Sequence, residues 1–119
     1  MSTVTDLARL LQTFFCQFLI QQRHVSAETV RGYRDSFRLL LHFAEESLGK
    51  PVTDLSLSDL DASLVLAFLN DLEIRRHNAI RSRNARLAAI RTFLHYAALE
   101  NPASLPGIQQ VLAIPMIAL

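Results

Sequence analysis

Residues 77–97 read HNAIRSRNARLAAIRTFLHYA, and the spacing inside this stretch decides the fold class. Ile80, Leu87, Ile90, Leu94 and Ala97 recur at helical intervals, the rhythm of one helix face packed on a core. A strand would need strict alternation of apolar and polar residues, which is missing here. Asn78 is the expected N-cap, and Asn101-Pro102 ends the helix because the residue before a proline is driven out of the helical region. Arg81 projects away from the apolar stripe and shares the outer surface with Ser82, Ala85, Ala88, Ala89 and Thr92. Arg83, Arg86 and Arg91 flank the stripe, where their stems can lie over it. Small outward residues let a helix backbone approach a large surface such as a DNA groove.

The same rhythm extends through the rest of the chain. A first helix is predicted over 6–22, with Leu7, Leu10, Leu11, Phe14, Phe18 and Leu19 at helical spacing. Phe15 and Cys16 widen its apolar face, which predicts burial on more than one side. Ser26 caps a second helix, and Glu28 sits in its first turn, where the helix dipole favours an acid. That helix carries Val30, Tyr33, Phe37, Leu40, Leu41, Ala44 and Leu48 on one stripe. Gly49 and then Lys50-Pro51 stop it in the usual order of glycine and following proline. Val52–Leu57 reads as an extended connector. Ser58 opens a third helix, with Asp59 and Asp61 in its first turn and Leu64, Phe68, Leu69 and Leu72 inside. A short fifth helix runs from Pro106 to Ala113 and stops before Ile114-Pro115. Four long helices and a short C-terminal one make an all-α, single-domain helical bundle over residues 1–115, with a stub at 116–119.

At 119 residues and 13.4 kDa the chain has room for one such domain. Half of it is hydrophobic, and only three glycines and four prolines occur, which excludes a disordered tail or a collagen-like chain. The lone Cys16 excludes an internal disulfide framework and a Cys-rich zinc site, and fits a cytoplasmic protein. No apolar run reaches the ~18 residues of a membrane span. Leu10–Ile20 is interrupted by Gln12 and Gln17 and has no small-residue cleavage site after it, so no signal peptide is expected.

Catalytic chemistry finds no foothold. Glycines 32, 49 and 107 make no phosphate loop. His24, His42, His77 and His95 are read as offering no metal face. Cys16, among Phe14, Phe15 and Phe18, reads as a small buried hydrophobe rather than an activated nucleophile. Glu45-Glu46 form a solvated helix end, and Asp59 with Asp61 stabilise a helix start. No cofactor and no small-molecule substrate are called for.

The net charge of +1 conceals a segregated distribution. Residues 45–73 hold seven acids against Lys50, whereas 74–91 hold six arginines and no acid. Eleven of the twelve cationic residues are Arg, whose planar fork matches phosphate geometry better than a lysine does. On the second helix Arg31, Arg34 and Arg38 fall within roughly 60° of one another at 100° per residue, beside the core face. Two uses compete for that stripe: phosphate contact, and pairing with Asp35 and Glu45 around the same helix. Arg75 and Arg76 end the third helix, where cations also complement the dipole. The acid-free segment likewise fits two partners, nucleic acid or an acidic protein surface.

The stretch that opened this section also resembles a known family. Arg83-Asn84-x-Arg86-Leu87-Ala88-Ala89-Ile90-Arg91-x-Phe93 with Tyr96 is similar to the last long helix of the N-terminal core-binding, or SAM-like, domain of tyrosine recombinases, the phage and transposon integrases. Ser26-x-x-Thr29-x-x-x-Tyr33 opens the second helix as that family's does, and Phe68-Leu69-x-x-Leu72 fits the third. Asn101-Pro102 and Val111-Leu112-Ala113-Ile114-Pro115 resemble the exit toward the catalytic domain. The resemblance covers nearly the whole chain.

It implies a DNA-binding module that grips one side of a recombination site, with the second and fourth helices facing the duplex. Double-stranded DNA is the implied partner, other recombinase protomers further ones, and a membrane is not. The residues it implies at the DNA are Thr29, Arg31, Arg34, Arg38, Arg75, Arg76, Arg81, Ser82, Arg83, Asn84, Arg86 and Arg91. Strand cleavage in that family needs a C-terminal domain with an Arg-Lys-His-Arg-His set and a tyrosine nucleophile. The sequence reaches Leu119, where that domain is expected to start, and neither Tyr33 nor Tyr96 matches the nucleophile, so no catalysis is expected of this chain. A helical protein-interaction domain with an Arg-rich docking surface is the alternative reading. A helix-turn-helix repressor is disfavoured by the long helices and the missing glycine turn.

Overall fold

Thr5 starts the first helix by a local device: its Oγ1 accepts the Ala8 N–H at 3.2 Å, satisfying one of the amides a helix start leaves open. The computed structural model describes residues 5–22, 24–75 and 80–118. They form four long helices and a short fifth, with no strand among the described residues. The chain divides after Leu57 into two compact units.

In the first unit, α1 (Asp6–Thr13) continues as a π-helix over Phe14–Gln22. The extent matches the sequence reading, but the hydrogen-bond register does not. In a π-helix each N–H reaches back five residues, which widens the turn and brings Phe14, Phe18 and Leu19 to one side. Phe14 and Leu19 are buried, and the Phe14 and Phe18 rings stack at 5.7 Å. The same register overturns the expected burial of Cys16, which is exposed beside Gln17.

Helix α2 (Ala27–Leu48) begins where expected, with Ser26 Oγ accepting the Thr29 N–H at 3.1 Å. It ends at Gly49, whose φ of 66° is the left-handed conformation that glycine adopts without strain. Phe37, Leu40 and Ala44 are buried, while Val30, Tyr33 and Leu41 are half-buried and Leu48 is exposed. The inward face therefore centres slightly off the predicted stripe and includes Ser36, whose hydroxyl donates to the Gly32 carbonyl. Aromatic pairs join the two helical segments: Phe14 stacks with Tyr33 at 6.4 Å, and Phe15 meets Phe37 edge-on at 6.0 Å.

The connector is not extended. Val52–Asp54 forms a 3-10 turn whose first amide, Val52 N–H, donates to Glu45 Oε2. Glu45 thus caps a turn instead of pairing with the arginine stripe. Asp6 Oδ1 accepts the Leu57 N–H at 3.0 Å, which ties the connector to the start of α1.

In the second unit, α3 (Ala62–Arg75) starts four residues later than Ser58. A further 3-10 turn takes up Leu57–Asp59, and Asp61 caps the helix, its Oδ1 accepting the Leu64 N–H at 2.8 Å. Asp59 and Asp61 therefore precede the first turn rather than occupy it. Leu64, Phe68, Leu69 and Leu72 are buried as expected, together with Val65.

Helix α4 (Ile80–Glu100) packs against α3, and α5 (Leu105–Leu112) packs against both. A 3-10 turn at Pro102–Ser104 joins α4 to α5. With neighbours on several sides, α4 buries Leu87, Ala89, Ile90, Phe93, Leu94, Tyr96 and Ala97. That wrapping corrects the outward placement of Ala89. Ile80, expected in the core, is 39% exposed at the helix start. The predicted N-cap Asn78 lies outside the described residues.

Candidate nucleic-acid interface

The twelve predicted site residues fall into three groups. In the first unit Arg31, Arg34 and Arg38 are all exposed along α2. The Arg34 guanidinium lies 5.9 Å from the centroid of the Phe15 ring, a cation–π contact that steadies it while leaving its outer edge open. Arg38 Nη1 is 3.7 Å from Asp35 Oδ1, with both side chains well exposed. Such a solvated pair is worth at most about 1 kcal/mol and yields readily to a stronger anion. Thr29 is half-buried, and its hydroxyl accepts from Ser26 Oγ as part of the helix cap.

In the second unit Arg81 is exposed and Ser82 half-buried. Arg81 heads a line that continues through Ala85, Ala88, Thr92, His95 and Leu99, alternating four and three residues. Arg81, Ala85, His95 and Leu99 are exposed on it, and Ala88 and Thr92 are half-buried. Sequence reading found the upper part of this line and missed His95 and Leu99, although the same spacing reaches both.

The second group turns inward. Arg83 is 7% exposed, with its Nε 3.1 Å from Glu73 Oε1 and its Nη1 donating to Asn84 Oδ1 and the Pro115 carbonyl. Arg91 Nη2 donates to the carbonyls of Leu112 at 2.7 Å and Ile114 at 2.9 Å. Asn84 exchanges two hydrogen bonds with Ile117, giving from Nδ2 to the carbonyl at 2.8 Å and taking the N–H at 3.0 Å. Arg86 is half-buried. A buried guanidinium needs a paired carboxylate and filled hydrogen-bonding positions, and Glu73 and the carbonyls meet that need for Arg83.

Arg76 and the Arg75 side chain, the third group, lie outside the described residues, as does His77.

No three His, Cys, Asp or Glu side chains come together among the described residues. His42 Nε2 and Glu46 Oε1 do meet at 3.1 Å, an i,i+4 pair on the exposed side of α2 that sequence reading overlooked. What remains chemically is a set of outward guanidiniums, suited to holding anionic oxygens in place.

A model of the family described as "Phage integrase, N-terminal SAM-like domain" matches residues 12–101, well over half of the chain. The chain belongs to this family. Among curated proteins it is 51% identical over 115 residues to "Putative integrase/recombinase y4rC" of Sinorhizobium fredii (strain NBRC 101917 / NGR234), and 47% identical over 110 residues to "Putative integrase/recombinase y4rD" of the same strain. These alignments take in 97% and 92% of the chain, but only 35% and 39% of the two relatives. No solved structure matches. The SAM-like family match spans α2, α3 and α4, and every predicted site residue falls within its limits. No helix among the described residues is long and apolar enough to cross a membrane.

Proposed function

We propose that the chain is the DNA-binding module of a site-specific tyrosine recombinase, gripping one side of the recombination site through duplex phosphates. The observation that carries this reading is the exposure of Arg31, Arg34, Arg38 and Arg81 on two helices of an integrase-family domain. Guanidiniums on the phosphates would fix position and most of the affinity, whereas few base-edge contacts would set sequence. Small side chains beside Arg81, at Ala85 and Ala88, let the α4 backbone come near the duplex. Thr29 and Ser82 add hydroxyls at the edges of the two arginine sites. Arg83, Asn84 and Arg91 are left out of the contact set, because their side chains are tied to Glu73, the Ile117 peptide and the Leu112 carbonyl within the fold. The module would bind and leave strand cleavage to residues this chain does not supply. It would work in the cytoplasm.

Fluorescence anisotropy with a short labelled duplex tests this reading. Arg34→Ala and Arg81→Ala are each expected to weaken binding several-fold, and by similar factors on unrelated duplex sequences. Wild-type affinity in both variants would overturn it and favour an acidic protein partner for these arginines.

A further inference from the structure

Three polar residues of α4 share one target, the end of α5 and the segment that follows it. Arg91 holds the carbonyls of Leu112 and Ile114, Arg83 that of Pro115, and Asn84 both polar groups of the Ile117 peptide. Their order fixes a direction. Rising residue numbers in the segment, from 112 to 117, meet falling numbers on α4, from 91 to 84. The chain after α5 therefore runs back along α4 toward its N-terminal end, and passes Asn84 less than one turn from Arg81. This path has no helix or strand of its own. Side-chain hydrogen bonds replace the backbone ladder that would otherwise define it.

We propose that Arg83, Asn84 and Arg91 are positioning residues, a clasp that holds the segment up to Ala118 at the Arg81 end of α4. The Asn84–Ile117 exchange is its last and most specific link. A side-chain amide offering one donor and one acceptor matches a peptide group as a neighbouring strand would. Arg83 anchors the base of the clasp through Glu73, and Arg91 grips its start. Ala118 is thereby placed near the exposed Arg81, rather than at the α5 end. The inference is independent of DNA binding and stands or falls without it.

Two measurements on the same protein test the clasp, neither using DNA. Ala118→Cys in a Cys16→Ser background accepts a spin label at one site. The two ends of α4 lie about 30 Å apart for its length, so the label distinguishes them. Amide signals of Arg81–Ala85 are expected to broaden while those of Leu99 and Glu100 stay sharp. Hydrogen exchange then addresses the link itself. Asn84→Ala is expected to speed exchange of the Ile117 amide by about tenfold, the loss of one hydrogen bond, with Leu94 and Ala97 unchanged. Asn84→Asp keeps the acceptor for the Ile117 N–H and is expected to retain most of its protection. Unchanged α4 protection shows that either variant is folded. Broadening at the Leu99 end, or an Ile117 amide indifferent to Asn84→Ala, would overturn the proposal.

Discussion

Leu87 and Leu94 lie seven residues apart on α4, and both side chains are fully buried. Their removal leaves cavities that surrounding helices close only in part, so Leu87→Ala and Leu94→Ala are each expected to cost ~2–5 kcal/mol in denaturant unfolding. A variant as stable as wild type would mean that the inward face of α4 is misplaced. Both leucines were legible from spacing alone, because apolar periodicity reports burial directly. Arg83 was not, although it sits in the same stretch. Its charge signals an outward residue, and only the arrival of Glu73 from α3 makes its burial tolerable. Glu73→Gln removes that charge and should destabilise the fold by about 1–3 kcal/mol, the cost of leaving a buried polar group poorly satisfied. The effect stays below that of a fully buried pair, since the Glu73 side chain is 37% exposed. A thermal melt indistinguishable from wild type would show that Arg83 does not depend on this carboxylate.

Two glycines on and beside α2 separate local conformation from local space. An added Cβ meets nothing within 4 Å at Gly32 or Gly49, yet only Gly49 has a positive φ, at 66°. Gly32→Ala is therefore expected to stabilise the fold by about 0.5–1 kcal/mol, as alanine does in a helix interior. Gly49→Ala should lose about 1–2 kcal/mol to left-handed strain. Opposite signs in parallel melts support this account, and equal signs sink it. Helix ends set by such local chemistry were readable from sequence: Ser26, Gly49 and Asn101-Pro102 all terminate helices where expected. Elements set by competition between alternatives were not. The π register at Phe14–Gln22 trades ordinary helical bonds for the burial of Phe14 and Leu19 together. The start of α3 passed from Ser58 to Ala62 because Asp61 is the residue whose carboxylate caps it. Several acids in a row signal a helix start without saying which one caps.

For the molecule as a whole, the number of arginines left outward sets a measurable limit on its proposed electrostatics. The sequence offered nine arginine candidates on α2, α3 and α4. Among those whose side chains are described, Arg31, Arg34, Arg38 and Arg81 are exposed. Arg83 and Arg91 have committed polar atoms to Glu73 and to backbone carbonyls. Each phosphate neutralised on duplex DNA releases counterions and steepens the fall of log K with log salt by about 0.9. Four contacts thus predict a slope near −3.6, whereas engagement of all nine would approach −8. Anisotropy titrations at several salt concentrations measure this directly. Arg34→Ala and Arg81→Ala should each flatten the slope by about one unit. Arg91→Ala should leave it unchanged, since its guanidinium serves the Leu112 and Ile114 carbonyls. A slope near zero would remove phosphate contact as the basis of function. A slope near −8 would mean that the inward arginines also reach phosphates, and would overturn their exclusion from the contact set.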